Sequence, residues 1–243
     1  MLPEFLDGVP ALLTKEERAL VAGDLHLGRE LKLEKEGIHF ANASRKAGEE
    51  LLRIYGRHHA RSIILLGDVK ESITYPPTDE YRAISDFFMQ LKEIEIGITK
   101  GNHDAHLGLI MERLGMRVSI KKEILLERGA FMHGNAMPSA EAMKKEYLVI
   151  GHGHTAVAGS NGKEKAWLVA SPGKDIGKAY GRYRKGIRLI VAPSFSGIIT
   201  GSAITPESGG FLPLFRNKVF DFKSAEVYST SRERLGKVSE IEG

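Results

Sequence analysis

Ile63-Ile64-Leu65-Leu66-Gly67-Asp68 is the stretch whose reading decides the fold: four apolar residues run into a glycine and then a carboxylate. A short apolar run closed by a turn residue reads as a buried strand. The same grammar recurs along the chain. Leu20-Val21-Ala22 leads to Asp24-Leu25-His26, and Gly97-Ile98-Thr99 leads to Gly101-Asn102-His103-Asp104. Ala130-Phe131-Met132 leads to His133-Gly134, and Tyr147-Leu148-Val149-Ile150 to Gly151-His152-Gly153-His154. Polar residues just beyond the carboxyl ends of strands are where open α/β sheets gather their active sites. The clusters supply oxygens from Asp24, Asp68 and Asn102 and imidazoles from His26, His133, His152 and His154, a set suited to two divalent cations. His103 is left over to handle protons.

Between these clusters the periodicity changes to that of helices. Ala47, Leu51, Ile54 and Tyr55 predict a crossover helix over 44–57, and Ile84, Phe87, Phe88 and Leu91 predict another over 79–92. Pro76-Pro77 breaks the chain before the second. Short helices are expected over 106–114 and 139–146, and a hairpin over 11–27. Residues 118–126 and 130–132 read as paired strands, and further strands are expected at 166–169, 189–192 and 225–228. Trp167 and Phe195 read first as core.

Composition bounds the rest. The 243 residues are 42% hydrophobic, enough for one large α/β domain, and no Pro/Ser/Gly-rich linker divides them. No apolar run is long enough to span a bilayer. The start of the chain lacks the basic and apolar stretches of a signal peptide, so the expected setting is cytoplasmic. Zero cysteines exclude disulfides and thiolate metal sites, leaving His and oxygen ligands. A single glutamine, Gln90, beside abundant Lys, Glu and Arg is a tendency of heat-adapted proteins. The net charge of +4 is compatible with a polyanionic partner. Arg182-Tyr183-Arg184-Lys185 with Arg188, Lys121-Lys122 and Lys144-Lys145 each read first as a solvated face and second as phosphate contacts.

The ordered set D-x-H, G-D, G-N-H-D, isolated H and G-H-x-H resembles the signature of the calcineurin-like metallophosphoesterases. Within them it looks most like the SbcD-related phosphoesterases. Asp24-Leu25-His26-Leu27-Gly28 is similar to their first motif, and Ala192-Pro193-Ser194-Phe195 with Thr200-Gly201 to a stretch in their archaeal and ligase-associated branches. The resemblance implies a four-layer αββα sandwich of two mixed β-sheets flanked by helices. It implies a dinuclear centre with Asp68 bridging, Asp24, His26 and His154 completing one metal, and Asn102, His133 and His152 the other. Manganese is the first expectation, with iron(II), zinc or nickel as alternatives. A metal-bridging hydroxide would then attack a phosphodiester in line. His103 would act as general acid or phosphate contact, oriented by Asp104. Gly28, Gly101 and Gly151 are expected to permit tight turns that carry the ligands over the sheet edge.

The resemblance also implies nucleic acid as substrate, a homodimer as in some relatives, and a DNA-repair helicase or ligase as partner; no membrane association is implied. One departure stands out. Nucleases of the SbcD type carry a second active-site His three residues after the bridging Asp, where this chain has Glu71. The chain is also too short to add their DNA-capping domain. The serine/threonine protein phosphatases place arginines where this chain has Glu71-Ser72 and Lys100, which disfavours that activity. Three readings follow: a nuclease, a phosphoesterase for small substrates such as cyclic nucleotides, and a scaffold with a vestigial site. Of the other residues near the motifs, Arg29 reads as a phosphate contact or an exposed partner of Glu30, and His39 could reach the cleft. His58-His59 is expected to face solvent and His106 to serve its helix start.

Overall fold

In the computed structural model, which describes residues 2–159, 162–208 and 211–241, the apolar runs form two sheets stacked face to face. The first holds β1 (Glu4–Phe5), β2 (Leu12–Leu13), β3 (Ala19–Ala22), β4 (Ser62–Leu65), β5 (Ile96–Thr99) and β6 (Val118–Lys121), in that spatial order. β1, β2 and β3 are antiparallel, whereas β3 to β6 are parallel. Parallel neighbours need crossovers, and helices supply them. α1 (Arg29–Lys35) and α2 (Ala43–Arg57) link β3 to β4, α3 (Thr78–Met89) links β4 to β5, and α4 (Leu107–Arg113) links β5 to β6.

The second sheet takes β7 (Glu123–Leu125), β8 (Gly129–Met132), β9 (Tyr147–Ile150), β10 (Thr155–Gly159), β11 (Gly162–Ala170), β12 (Arg188–Val191) and β13 (Ser202–Ala203). β14 (Glu226–Ser229) and β15 (Arg234–Lys237) extend it from β11. Its centre is parallel, β8 beside β9 beside β12, flanked by antiparallel β7 and β11. α5 (Ile176–Ala179) and α6 (Pro213–Arg216) cover its outer face.

Strand alternation explains the layering. In β3 and the β4 run, Leu20, Ala22, Ile63 and Leu65 point to α2, α3 and α4, while Ala19, Val21, Ile64 and Leu66 point inward. In β9 and β12, Leu148, Ile150, Leu189 and Val191 face α5 and α6, while Tyr147, Val149 and Ile190 meet the inward residues of the first sheet. Trp167 lies wholly buried in that middle layer, stacked on Phe5 at 4.7 Å. Sheets covered on both faces need continuous apolar strands, which is why the runs read so clearly.

Two expectations are corrected. Residues 118–126 are not one arm of a pair: the chain leaves the first sheet after Lys121, and β7 opens the second by pairing with β8. The segment 139–146 forms only one tight turn over Ala142–Lys144, because the chain must already be extended at Lys145 to lay β9 beside β8. α1 has no counterpart in the sequence reading; its apolar residues Leu31 and Leu33 lack helical spacing.

Candidate metal centre

The carboxyl ends of β3, β4 and β5 in one sheet and of β8 and β9 in the other open toward the same edge of the sandwich, and the polar clusters meet there. Asp24, His26, Asp68 and His154 bring their ligand atoms within 4.8 Å of one another. Asp68, His133 and His152 form a second such group, so Asp68 is common to both. Asn102 joins through Oδ1, 3.1 Å from Nε2 of His133. Asp24, Asp68 and His133 are almost fully buried.

The backbone is strained where the candidate ligands sit. Asp24, His26, Asp68, His152 and His154 all adopt positive φ, between 39° and 61°. Such conformations are uncommon for residues with a Cβ and persist where surrounding contacts impose them. Those contacts are visible. The amide of His152 donates to the Asp24 carboxylate (2.9 Å to Oδ2) and that of His103 to Oδ1 of Asp68 (2.9 Å). Ser194 Oγ donates to the Asp24 carbonyl (2.7 Å) and the Phe195 amide to the Gly23 carbonyl (2.8 Å), so the 192–195 segment clamps the first motif. Gly101 and Gly151 do not have positive φ; they are glycine because the carboxylates come close. A Cβ on Gly151 would lie 2.7 Å from Oδ2 of Asp24, and one on Gly101 would overlap the Asp68 amide and Oδ1.

The donors show what the cluster lacks on its own. Nδ1 of His133 donates to the Leu66 carbonyl (2.8 Å) and Nδ1 of His26 to Oε2 of Glu71 (3.0 Å), so Nε2 is the atom each ring offers to the cluster. Nε2 of His133 then confronts Oδ1 of Asn102 and, at 3.3 Å, Oδ2 of Asp68. Nε2 of His26 confronts Nε2 of His154 at 3.3 Å and Oδ2 of Asp68 at 3.8 Å. Carboxylate and amide oxygens crowd these nitrogens, which favours positive charge here, whether carried by a proton or by a cation. Burial opposes charge on His133, yet its bond to Asp68 and the charges of Asp24 and Asp68 push its pKa up to about 9. Burial likewise opposes ionisation of Asp68, but His133 and the His103 amide hold it far below the usual carboxylate range. His154 is raised by Asp24 against its burial, and His152 is lowered by burial and by His133. A buried, mixed N/O donor set fits divalent first-row cations, whose binding would displace the proton that His133 holds.

His103 lies beside the centre, its ring 4.9 Å from that of His26. Its expected orienter is corrected. Both Asp104 oxygens accept backbone amides, Oδ1 from Val69 (2.9 Å) and Oδ2 from Gly101 (2.8 Å), and burial raises the pKa of this carboxyl. Asp104 therefore ties the Asp68 and Asn102 loops together. The carbonyl of Glu71 accepts from Nδ1 of His103 (2.6 Å) and leaves Nε2 free among the described residues.

Glu71, which the sequence marked only as a departure, has a defined place. Burial raises its pKa, but His26, Lys32 and Arg29 outweigh this and keep it ionised. Arg29 (2.9 Å) and Lys32 (2.7 Å) both bond Oε1. Arg29 is thus not paired with Glu30, which is buried and accepts the Ser44 amide. No sequence signal short of α1 itself placed Arg29 and Lys32 over Glu71. His39 is exposed, and His106 precedes α4 beside Tyr75. Of the basic clusters, Arg184 pairs with Glu146, Arg188 with Glu226 and Lys144 with Glu141; Lys122 instead lines, with Lys100, a cleft of about 680 Å³ that reaches His133.

No family model and no curated protein matches the sequence. Among solved structures, the nuclease MPE of Pseudomonas putida is similar at a TM-score of 0.62 and 18% identity, over 95% of this chain and 97% of that one. YfcE, a phosphoesterase from E. coli, aligns at a TM-score of 0.43 and 16% identity over 92% and 99% of the two chains. With two mixed sheets face to face, helices outside both and the first of these likenesses along nearly its whole length, the chain has the αββα fold of the metallo-dependent phosphatases.

Proposed function

We propose that this protein is a dinuclear metal-dependent phosphodiesterase acting on nucleic acid. One observation carries the reading: possible ligand atoms from both sheets converge on Asp68, which belongs to both groups. Asp24, His26 and His154 would hold one cation and Asn102, His133 and His152 the other, with manganese the first expectation. Two bound cations would lower the pKa of water toward neutrality and offset charge on the phosphoryl oxygens.

The remaining residues act around that pair. Glu71 orients His26 and makes it a better ligand, as carboxylates do behind metal-bound imidazoles. His103, held through Nδ1, would donate a proton from Nε2 to the leaving oxygen. Lys100 and Lys122, with no ion-pair partner among the described residues, line the cleft on the His133 side and suit the neighbouring phosphates of a polyanion. The likeness to a nuclease supports the same substrate class. Among the described residues no helix is long and apolar enough to cross a membrane.

The test is cleavage of labelled single-stranded and plasmid DNA with Mn²⁺, using Asp68→Ala protein as contamination control. Cutting by the parent and none by the variant is expected. No cutting by metal-loaded parent would move the assignment to small phosphodiesters, and no metal uptake would leave only a scaffold.

A further inference from the structure

Lys70 follows Asp68 by two residues, and its side chain is wholly buried. Burying an ammonium is unfavourable unless hydrogen bonds and charges compensate it. Here Nζ donates to the carbonyls of Ser72 and, at 2.7 Å, Thr74, so the chain from 70 to 74 curls around the charge. Burial lowers its pKa, and the charges of Glu80, Asp104 and Asp68 oppose that shift. An apolar side chain would fill the space without this penalty, but it could not hold two carbonyls.

Little else holds the loop that follows. The Glu71 amide is still tied to the Leu27 carbonyl (3.1 Å), but among the described residues no backbone-to-backbone bond reaches 72–76. Ile73 at its tip is 61% exposed, so apolar packing does not fix it. Tyr75 is tied further out by Arg113 (2.6 Å). The other inner anchor is Glu80, buried in the first turn of α3. Its Oε1 accepts the Ser72 amide (2.8 Å) and its Oε2 the Ser72 hydroxyl. The stem of Glu80 also lies against the first motif: a Cβ on Gly28, at φ +91°, would be 2.5 Å from its Cγ.

The peptide unit between Glu71 and Ser72 is therefore gripped from both ends. Its N–H goes to Glu80, and its carbonyl accepts from Nδ1 of His103. A peptide is planar, with N–H and C=O directed to opposite sides, so holding one aims the other. The next carbonyl, that of Ser72, is held by Lys70. We propose that Lys70 and Glu80 are positioning residues that lock the Glu71–Ser72 peptide plane and thereby select the Nδ1–H form of His103, leaving Nε2 as its working atom. The catalytic consequence rests on the phosphodiesterase reading; the geometry does not.

The experiment has two readouts, taken on the parent, Lys70→Met and Glu80→Met. Nitrogen-15 NMR of histidine-labelled, metal-free protein at alkaline pH distinguishes rings protonated on Nδ1 from those protonated on Nε2, with His103→Gln supplying the assignment. His103 is expected in the Nδ1–H form in the parent. In each variant it should become a mixture, because the bond that selects one form is released. Should either variant fail to fold, Glu80→Gln keeps one acceptor and should shift the mixture less, in the same direction. Turnover with saturating manganese is then compared on a labelled oligothymidylate, whose alkoxide needs a proton as it leaves, and on bis(4-nitrophenyl) phosphate, whose phenolate leaves unaided. Each variant should lose about a hundredfold or more on the first and under about tenfold on the second. Unchanged tautomers in the variants overturn the proposal, and so do equal losses on the two substrates, which a merely structural role would give. Altered tautomers in a protein whose parent cleaves neither substrate keep the positioning residues and remove the phosphodiesterase.

Discussion

At Glu71 one side chain decides how a candidate ligand is presented. Its carboxylate holds Nδ1 of His26 and is itself held by Arg29 and Lys32. Glu71→Gln keeps an acceptor for the imidazole but removes the charge, and manganese affinity should fall about 10- to 100-fold. Activity measured against manganese concentration should show the half-saturation point moving up while excess metal restores turnover; an unmoved curve would deny Glu71 its positioning role. Lys165 makes a prediction of opposite sign. Its folded pKa of about 8 lies below the ordinary 10.5, so between those values the unfolded chain binds more protons and stability rises with pH. Below pH 8 the buried charge is fully destabilising. Lys165→Met should therefore melt above the parent at pH 7, with the gap closing between pH 8 and 10.5 in paired thermal scans.

Among the elements, the middle layer of the sandwich concentrates packing energy. Trp167 on β11 is fully buried against Phe5, and its Nε1 has no partner among the described residues. Trp167→Ala should cost about 3–5 kcal/mol in denaturant unfolding. Trp167→Phe should cost far less than that truncation, because the lost contact is partly offset by removing an unsatisfied N–H. Elements also differ in how legible they were. α2 and α3 bury one face against a sheet over several turns, so their periodicity is written in Leu51, Ile54, Ile84, Phe87 and Phe88. α1 and the turn at Ala142–Lys144 are too short to carry a period. The passage from β6 to β7 between sheets has no signature, since pairing partners and not local composition separate Lys121 from Glu123.

On the scale of the whole molecule, the candidate ligands tie the sheets together. Asp24, His26, Asp68 and Asn102 follow strands of the first sheet, and His133, His152 and His154 follow strands of the second. Bound metal would therefore cross-link the sandwich at its edge. At a hundred times the dissociation constant, manganese should stabilise the fold by about 2.7 kcal/mol. For a chain of this size that is roughly 5–10 °C in Tm. EDTA should reverse the shift, and Asp68→Ala should show little of it. Ion-pair networks act on the same scale: Arg128 bridges Glu16 and Glu146, which also meets Arg184, and Glu226 joins Arg188 to Arg234. With the single glutamine, they support an unfolding midpoint above the roughly 45–65 °C of mesophilic domains. Calorimetry would decide.

The sequence by itself determined the strands and the chemistry at their ends. Apolar runs bounded by Gly and Asp or His are local, and a strand buried on both faces leaves no choice but continuous hydrophobicity. Only the tertiary structure decided which partners those residues meet. The Asp104 carboxylate bonds two backbone amides from separate loops, Glu71 lies behind His26 under a helix the sequence did not disclose, and Lys165 reaches the distant Ser196 carbonyl. Each depends on contacts between residues far apart in the chain, and spacing along a sequence does not encode a distance in space.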